Sequence, residues 1–478
     1  MIKRAEALTQ EQIKQSRDLA SLSKLAELYS EAKDTQRLAW TLEVLTQLLP
    51  NAGDLRLKLA MTYADTDDKS RTYDLLLKMV NQGYAYDLSN APGFEKVRGT
   101  RVWDYVVESF GRNGKAYGEG KVAFELPKGD TLFESIAWDA KRKQFLVGSA
   151  REGKIYLADK NGKLSDFIAP DADNGLMSVF ALAVDGAHDR VYALSNGVPH
   201  FQGFNAEMVG KAGLFEFALS SGKFLKKYIL PQDNNNHLLT SIAVDGKGGV
   251  YVADGVNQQI YHLDGGALQL MLGNPALTGI RSIAVTPDGK TMYFNDTALG
   301  IFGVDLSKRA PFNVAYNPQK LVLGGIDSLY WYDGTLVAIQ SGMEPQRVIR
   351  LKLAADGHSI VQALPLDAAQ PAFDAPSTGA VVGDELYFIA NSQKYLYSKL
   401  GVLTDSSALE PVRIFRSNLH FAWNDKGVDT SPAAAAAVQA PTKEQFQQMQ
   451  RTPPKGVVQP PADKPADKSP QPAAKQQP

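Results

Sequence analysis

"LFESIAWDAKRKQFLVGSAREGKIYLAD", Leu132 to Asp159, alternates apolar and polar residues on either side of a polar turn, and it returns twice further along the chain. The copies are "LLTSIAVDGKGGVYVADGVNQQIYHLD" at 238–264 and "GIRSIAVTPDGKTMYFNDTALGIFGVD" at 279–305. A period of two broken by Asp-Gly and Gly-Gly turns predicts antiparallel hairpins. Just before the shared Ser-Ile-Ala the copies hold Glu134, Thr240 and Arg281, so the repeat keeps its core and changes charge at one place.

Three more hairpins of the same kind are "FALAVDGAHDRVYALSN" (180–196), "YDGTLVAIQ" (332–340) and "VVGDELYFIAN" (381–391). Six such units over 118–424 predict a six-bladed β-propeller, since a closed ring of four-stranded blades leaves few exposed edges. Closure is assigned to "KVAFELP" (121–127), which is expected to pair with "PVRIFRS" (411–417) in the last blade.

Residues 1–117 have helical spacing instead. "LAELYSEAKDTQRLAWTLEVLTQLLPN" (25–51) lies over "LAMTYADTDDKSRTYDLLLKMVNQGYA" (59–85) at an offset of 34, matching Tyr29 with Tyr63 and Asp34 with Asp68. That period resembles the tetratricopeptide repeat, and "APGFEKVRGTRVWDYVVESF" (91–110) is expected to supply a capping helix. From 425 to 478 the chain turns to Pro, Ala, Gln and Lys, a composition that cannot bury enough apolar surface to order itself.

The 478 residues are 44% hydrophobic and 22% charged, enough for sizeable cores. A net charge of -1 carries no basic excess for nucleic acid. With no cysteine there is no disulfide, thiolate metal site or cysteine nucleophile. No apolar run approaches the roughly 20 residues of a membrane span. The tail favours a periplasmic or secreted protein whose signal has been removed, with a cytoplasmic one still open.

The opening stretch resembles the first blade of the senescence-marker/gluconolactonase family, NHL-like six-bladed propellers, through Glu134, Ser135 and Trp138. The resemblance covers the propeller. It implies a divalent metal, such as Ca²⁺, held in the channel by Glu134 and Asp327, with Asp327 also the catalytic acid/base of a lactonase. The family's metal-binding Asn falls on Arg281, and a neighbouring polar position on Thr240. A guanidinium has five donors and no lone pair, so it cannot ligate a cation.

Inner strands begin around one end of a propeller channel, so Glu134, Phe180, Thr240, Arg281, Asp327 and Ser377 are expected to form a ring. Arg281 is expected to bridge Glu134 and Asp327 in the metal's stead, giving a metal-free channel with no cofactor. Such a cluster serves either as a structural plug or as a pocket for a small polar or anionic ligand. The insertion "NGVPHFQGFNAEMVGKAG" (196–213), with His200, Phe201, Phe204 and Met208, reads as a lid or as a loop packed on a neighbouring blade. Gln340 is a further candidate for the channel mouth, with packing at a strand end the equal alternative. The six histidines show no metal-ligand spacing, and there is neither a GxSxG elbow nor a P-loop. The expected function is a binding or scaffold protein, taking a protein or peptide partner on its helical repeats. A metal-dependent lactone or ester hydrolase is the alternative.

Overall fold

The computed structural model describes residues 8–231, 235–423 and 427–432. Its helices are α1 Gln10–Gln15, α2 Leu19–Glu31, α3 Thr35–Leu48, α4 Gly53–Asp65, α5 Lys69–Asn81 and α6 Arg101–Asn113. The 34-residue offset reappears in their caps. Asp34 accepts from the Arg37 backbone and pairs with its guanidinium at 2.6 Å, and Asp68 treats Arg71 in the same way, also at 2.6 Å. Each aspartate satisfies a backbone donor that the first turn leaves open. The segment 91–110 becomes helical only from Arg101, because Gly93 (φ +86°) and Gly99 (φ +73°) hold left-handed turns before the Thr100 cap. Trp103, Val106 and Phe110 of α6 then pack with Tyr73, Leu76 and Met79 of α5.

Six antiparallel sheets follow as blades of a propeller. Their inner strands are Phe133–Asp139, Ser178–Asp185, Leu239–Val244, Ile280–Val285, Ile326–Tyr332 and Gly379–Val382. Between neighbouring blades lie apolar layers such as Ala137, Leu146, Val179 and Phe215. The ring closes as expected. Lys121–Leu126 pairs with Val412–Asn418, setting Val122 opposite Phe415 and Leu126 opposite Val412. Beyond residue 424, Val428–Asp429 adds a short fifth strand to blade five against Gln362 and Ala363. That strand departs from the expectation of no structure over 425–478, and residues 433–478 lie outside the described residues.

Inner strands of the first five blades share one irregularity. The register slips between Phe133 and Ser135, Val179 and Ala181, Leu239 and Ser241, Ile280 and Ser282, and Ile326 and Ser328. The skipped residues are Glu134, Phe180, Thr240, Arg281 and Asp327. A bulge residue has no ladder partner and can be re-aimed, which frees this position from the sheet in every copy. In blades three and four the serine that follows ties blades together. Ser241 Oγ accepts from Ile283 N at 3.1 Å and Ser282 Oγ from Leu329 N at 3.0 Å.

The helices dock at the same end of the propeller, on blades four and five. Asn51 Oδ1 accepts from Tyr316 Oη (2.9 Å) and Leu323 N (3.0 Å), while its own N–H donates to Ala298 O (3.2 Å). Gln82 Nε2 donates to Pro318 O at 2.7 Å and Ala85 N to Glu344 O at 2.8 Å. Tyr84 and Phe110 share one apolar cluster with Val322 and Met343 of the propeller. The approach is close: a Cβ on Gly324 would stand 2.3 Å from the Asn51 carbonyl oxygen.

Candidate functional site

The bulged residues surround a cavity of about 990 Å³ at the strand-entry end of the channel. Glu134, Phe180, Thr240, Arg281, Asp327 and Ser377 all line it, and so does His200 of the blade-two insertion. Lower in the channel the walls turn apolar, with Leu182, Ile242 and Ile283.

Charge is concentrated on one side. Arg281 Nη2 donates to Asp327 Oδ1 at 2.5 Å, and Lys394 Nζ stands 3.6 Å from the same oxygen. Burial pushes the Asp327 carboxyl upward, but the two cations outweigh it and hold the group below the usual carboxylate range. Asp327 in turn raises Arg281 above its ordinary value against burial. Arg281 does not bridge the two acids as expected. Blade four adjoins blade five, so its side chain meets Asp327 first, whereas Glu134 stands on blade one across the ring. Glu134 Oε1 is buried and has no hydrogen-bond partner among the described residues. Burial pushes Glu134 up to about 7; Lys394 and Arg281 draw it down, and Asp327 raises it.

Lys394 was not among the expected site residues. It opens a short 3₁₀ turn, Lys394–Leu396, behind Gln393 in the left-handed region (φ +57°). The turn belongs to the long connection between Glu385–Ile389 and Val412–Asn418 of blade six. The only available signal was the length of that connection and its "QKYLY" cluster, since no hairpin period reaches it.

This connection and the blade-two insertion meet beside the mouth. Arg151 donates to the His200 carbonyl (2.6 Å) and the Gly401 carbonyl (2.9 Å), and grips Asp130 with two bonds of 2.7 and 3.0 Å. Tyr397 Oη donates to Asp130 at 2.8 Å. The insertion therefore packs against blade six's connection, while its His200 reaches the cavity. Burial, then Arg151, lowers the His200 pKa below its ordinary value, so the ring is neutral near pH 7.

Gln340 takes the strand-end place and not the channel mouth. It is fully buried, donates to Val322 O (3.1 Å) and Gly324 O (2.9 Å), and accepts from Arg347 Nε (2.7 Å). The cause is its position at the end of a second strand. Asp254, Asp296 and Asn391 sit at or just past the same point in their blades and likewise bond loop backbone, at Leu238 N, Gly279 N and Pro411 O. Among the described residues no group of three or more His, Cys, Asp or Glu side chains comes together as a cation site.

No protein-family model matches the chain, and no curated protein matches it. Solved structures resemble it at low identity. Virginiamycin B lyase from Staphylococcus aureus is 16% identical over 63% of this chain and 100% of its own, with a TM-score of 0.42. An aldose sugar dehydrogenase from Streptomyces coelicolor is 15% identical over 63% and 99%, at 0.40. A gluconolactonase from Xanthomonas campestris is 12% identical over 60% and 88%, at 0.39. Likeness of this degree says nothing about chemistry, so what the channel does must follow from this chain's own side chains.

Proposed function

We propose that this protein is a binding module whose propeller channel takes a small polar ligand without a metal, beside a helical scaffold of tetratricopeptide type that receives a protein or peptide partner. One observation carries the channel reading: at the wall of a roomy cavity Asp327 is held between Arg281 at 2.5 Å and Lys394 at 3.6 Å. A divalent cation needs several oxygen ligands, and here two cations already flank one of the two candidate carboxylates. Donors of this kind suit a ligand that brings its own acceptors. The scaffold part of the reading is supported by the repeated caps at Asp34 and Asp68.

Saturation-transfer NMR against a mixed set of neutral sugars, polyols and organic acids tests the pocket. Binding is expected for the native chain and is expected to vanish when Arg281→Ala is combined with Lys394→Ala. Calorimetry with Ca²⁺ or Mn²⁺ should give no binding heat. Lactone hydrolysis that requires an added divalent ion and disappears in Asp327→Ala would replace this reading with the lactonase.

A further inference from the structure

We propose that the channel ligand is a small monoanionic organic acid, its carboxylate lying against Arg281 and Lys394, and that Glu134 takes up one proton from solvent as the acid binds. The proposal rests on the ligand-binding reading above and names the ligand's class. Four charged groups from different blades meet at the mouth. Arg281 comes from blade four, Asp327 from blade five, Lys394 from the blade-six connection and Glu134 from blade one. His200 reaches the same cavity from the blade-two insertion and is neutral near pH 7, so it adds no charge there.

The balance of these charges selects the ligand. Two cations and Asp327 leave one positive charge, and an ionised Glu134 would cancel it. An incoming monoanion would then leave net negative charge around Glu134, whose carboxylate burial already disfavours. Once Glu134 is protonated, the ligand's single charge completes neutrality instead. A dianion such as phosphate would again leave one charge unbalanced.

Geometry points the same way. Only one of the five guanidinium N–H groups of Arg281 is taken by Asp327 among the described residues. Glu134 lines the same cavity and is only partly buried there, so its carboxyl becomes a donor to the ligand carboxylate when the group is protonated. Burial already holds that proton with a pKa of about 7, so the uptake falls where it can be measured.

The test uses the full chain and a matched panel: lactate, gluconate, benzoate and phenylacetate, each beside its primary amide. Saturation-transfer NMR at pH 6 should detect acids and not amides. The acid that binds best is then titrated calorimetrically at pH 8 in phosphate and in Tris, whose ionisation heats differ, and the difference should correspond to uptake of about one proton. Its affinity should weaken towards roughly tenfold per pH unit above neutrality, and Glu134→Gln should abolish both the uptake and the pH dependence. Amides that bind as well as acids overturn the charge assignment and leave the pocket standing. Acid binding with no proton uptake by the native chain at pH 8 overturns the role of Glu134. A panel in which neither series binds removes this inference, and the pocket goes with it if the wider set of sugars and polyols also fails.

Discussion

Arg281 meets Asp327 because a long side chain re-aimed by a bulge finds the next blade before it can cross the ring. Removing the guanidinium strands a mostly buried carboxylate, whose side chain is 11% exposed. Lys394 at 3.6 Å compensates in part, and Arg281 itself is 36% exposed, which weakens the pair through solvent screening. Arg281→Ala should therefore cost about 1–2 kcal/mol in urea unfolding at pH 7, below the figure for a fully buried pair. The sign with pH follows from Asp327, whose folded pKa is depressed. Its stabilisation is present above the unfolded value and disappears as pH falls through the folded one, so native and variant stabilities should converge in acid. A difference that persists at pH 2 would assign the loss to packing. The ring residues were legible because three near-identical copies aligned Glu134, Thr240 and Arg281. Lys394 was not, since it lies in a connection with no counterpart in the repeat, and Gln340 misled because a strand-end amide and a channel amide look alike in a sequence.

At the scale of elements, alternation and turn residues predicted the hairpins, the pairing of Lys121–Leu126 with Val412–Asn418, and the helices that repeat at 34. The shared bulge was not readable, because a one-residue slip changes register without changing composition. The closing strand depends on a buried acid that drew no notice in the sequence. Asp367, only 1% exposed, accepts from Gly120 N at 2.9 Å and from the Ser417 hydroxyl, so it fastens the start of the closing strand to blades five and six. Burial pushes Asp367 up to about 6 despite those bonds. With the folded pKa raised, its contribution is fully present below the unfolded carboxylate value and is lost as pH rises through about 6. The melting temperature should fall between about pH 4 and 6 from this source, and Asp367→Asn should flatten that slope in thermal melts. An equally steep slope in the variant would assign the dependence to another group, with Glu134 the next candidate.

The whole molecule joins a helical unit to a ring through the loops that also frame the channel mouth. Thr297, Gly325 and Gly342 line the cavity, while their neighbours Ala298, Gly324 and Met343 touch the helical unit. Sequence reading separated the two units but not their junction, because Asn51, Gln82 and Arg347 are single polar residues outside any repeat. Arg347 is the innermost of them, 4% exposed, donating to Gln340 Oε1 at 2.7 Å and to the Gln82 carbonyl at 3.3 Å. Burial lowers its pKa to about 10, still far above neutrality, so a charge is enclosed between the units. Arg347→Ala leaves two buried acceptors without this donor and opens a cavity, which together should cost about 2–4 kcal/mol. The loss falls on the junction, so its effect on cooperativity is more specific than its size. In a Trp40→Phe, Trp103→Phe background, which leaves Trp138, Trp331 and Trp423 to report on the propeller, helix content by circular dichroism and propeller packing by tryptophan fluorescence should melt together. In Arg347→Ala the helical signal should melt first, with the fluorescence transition little changed. Coincident transitions in the variant would mean that the apolar cluster of Tyr84, Phe110, Val322 and Met343 is sufficient to hold the units together.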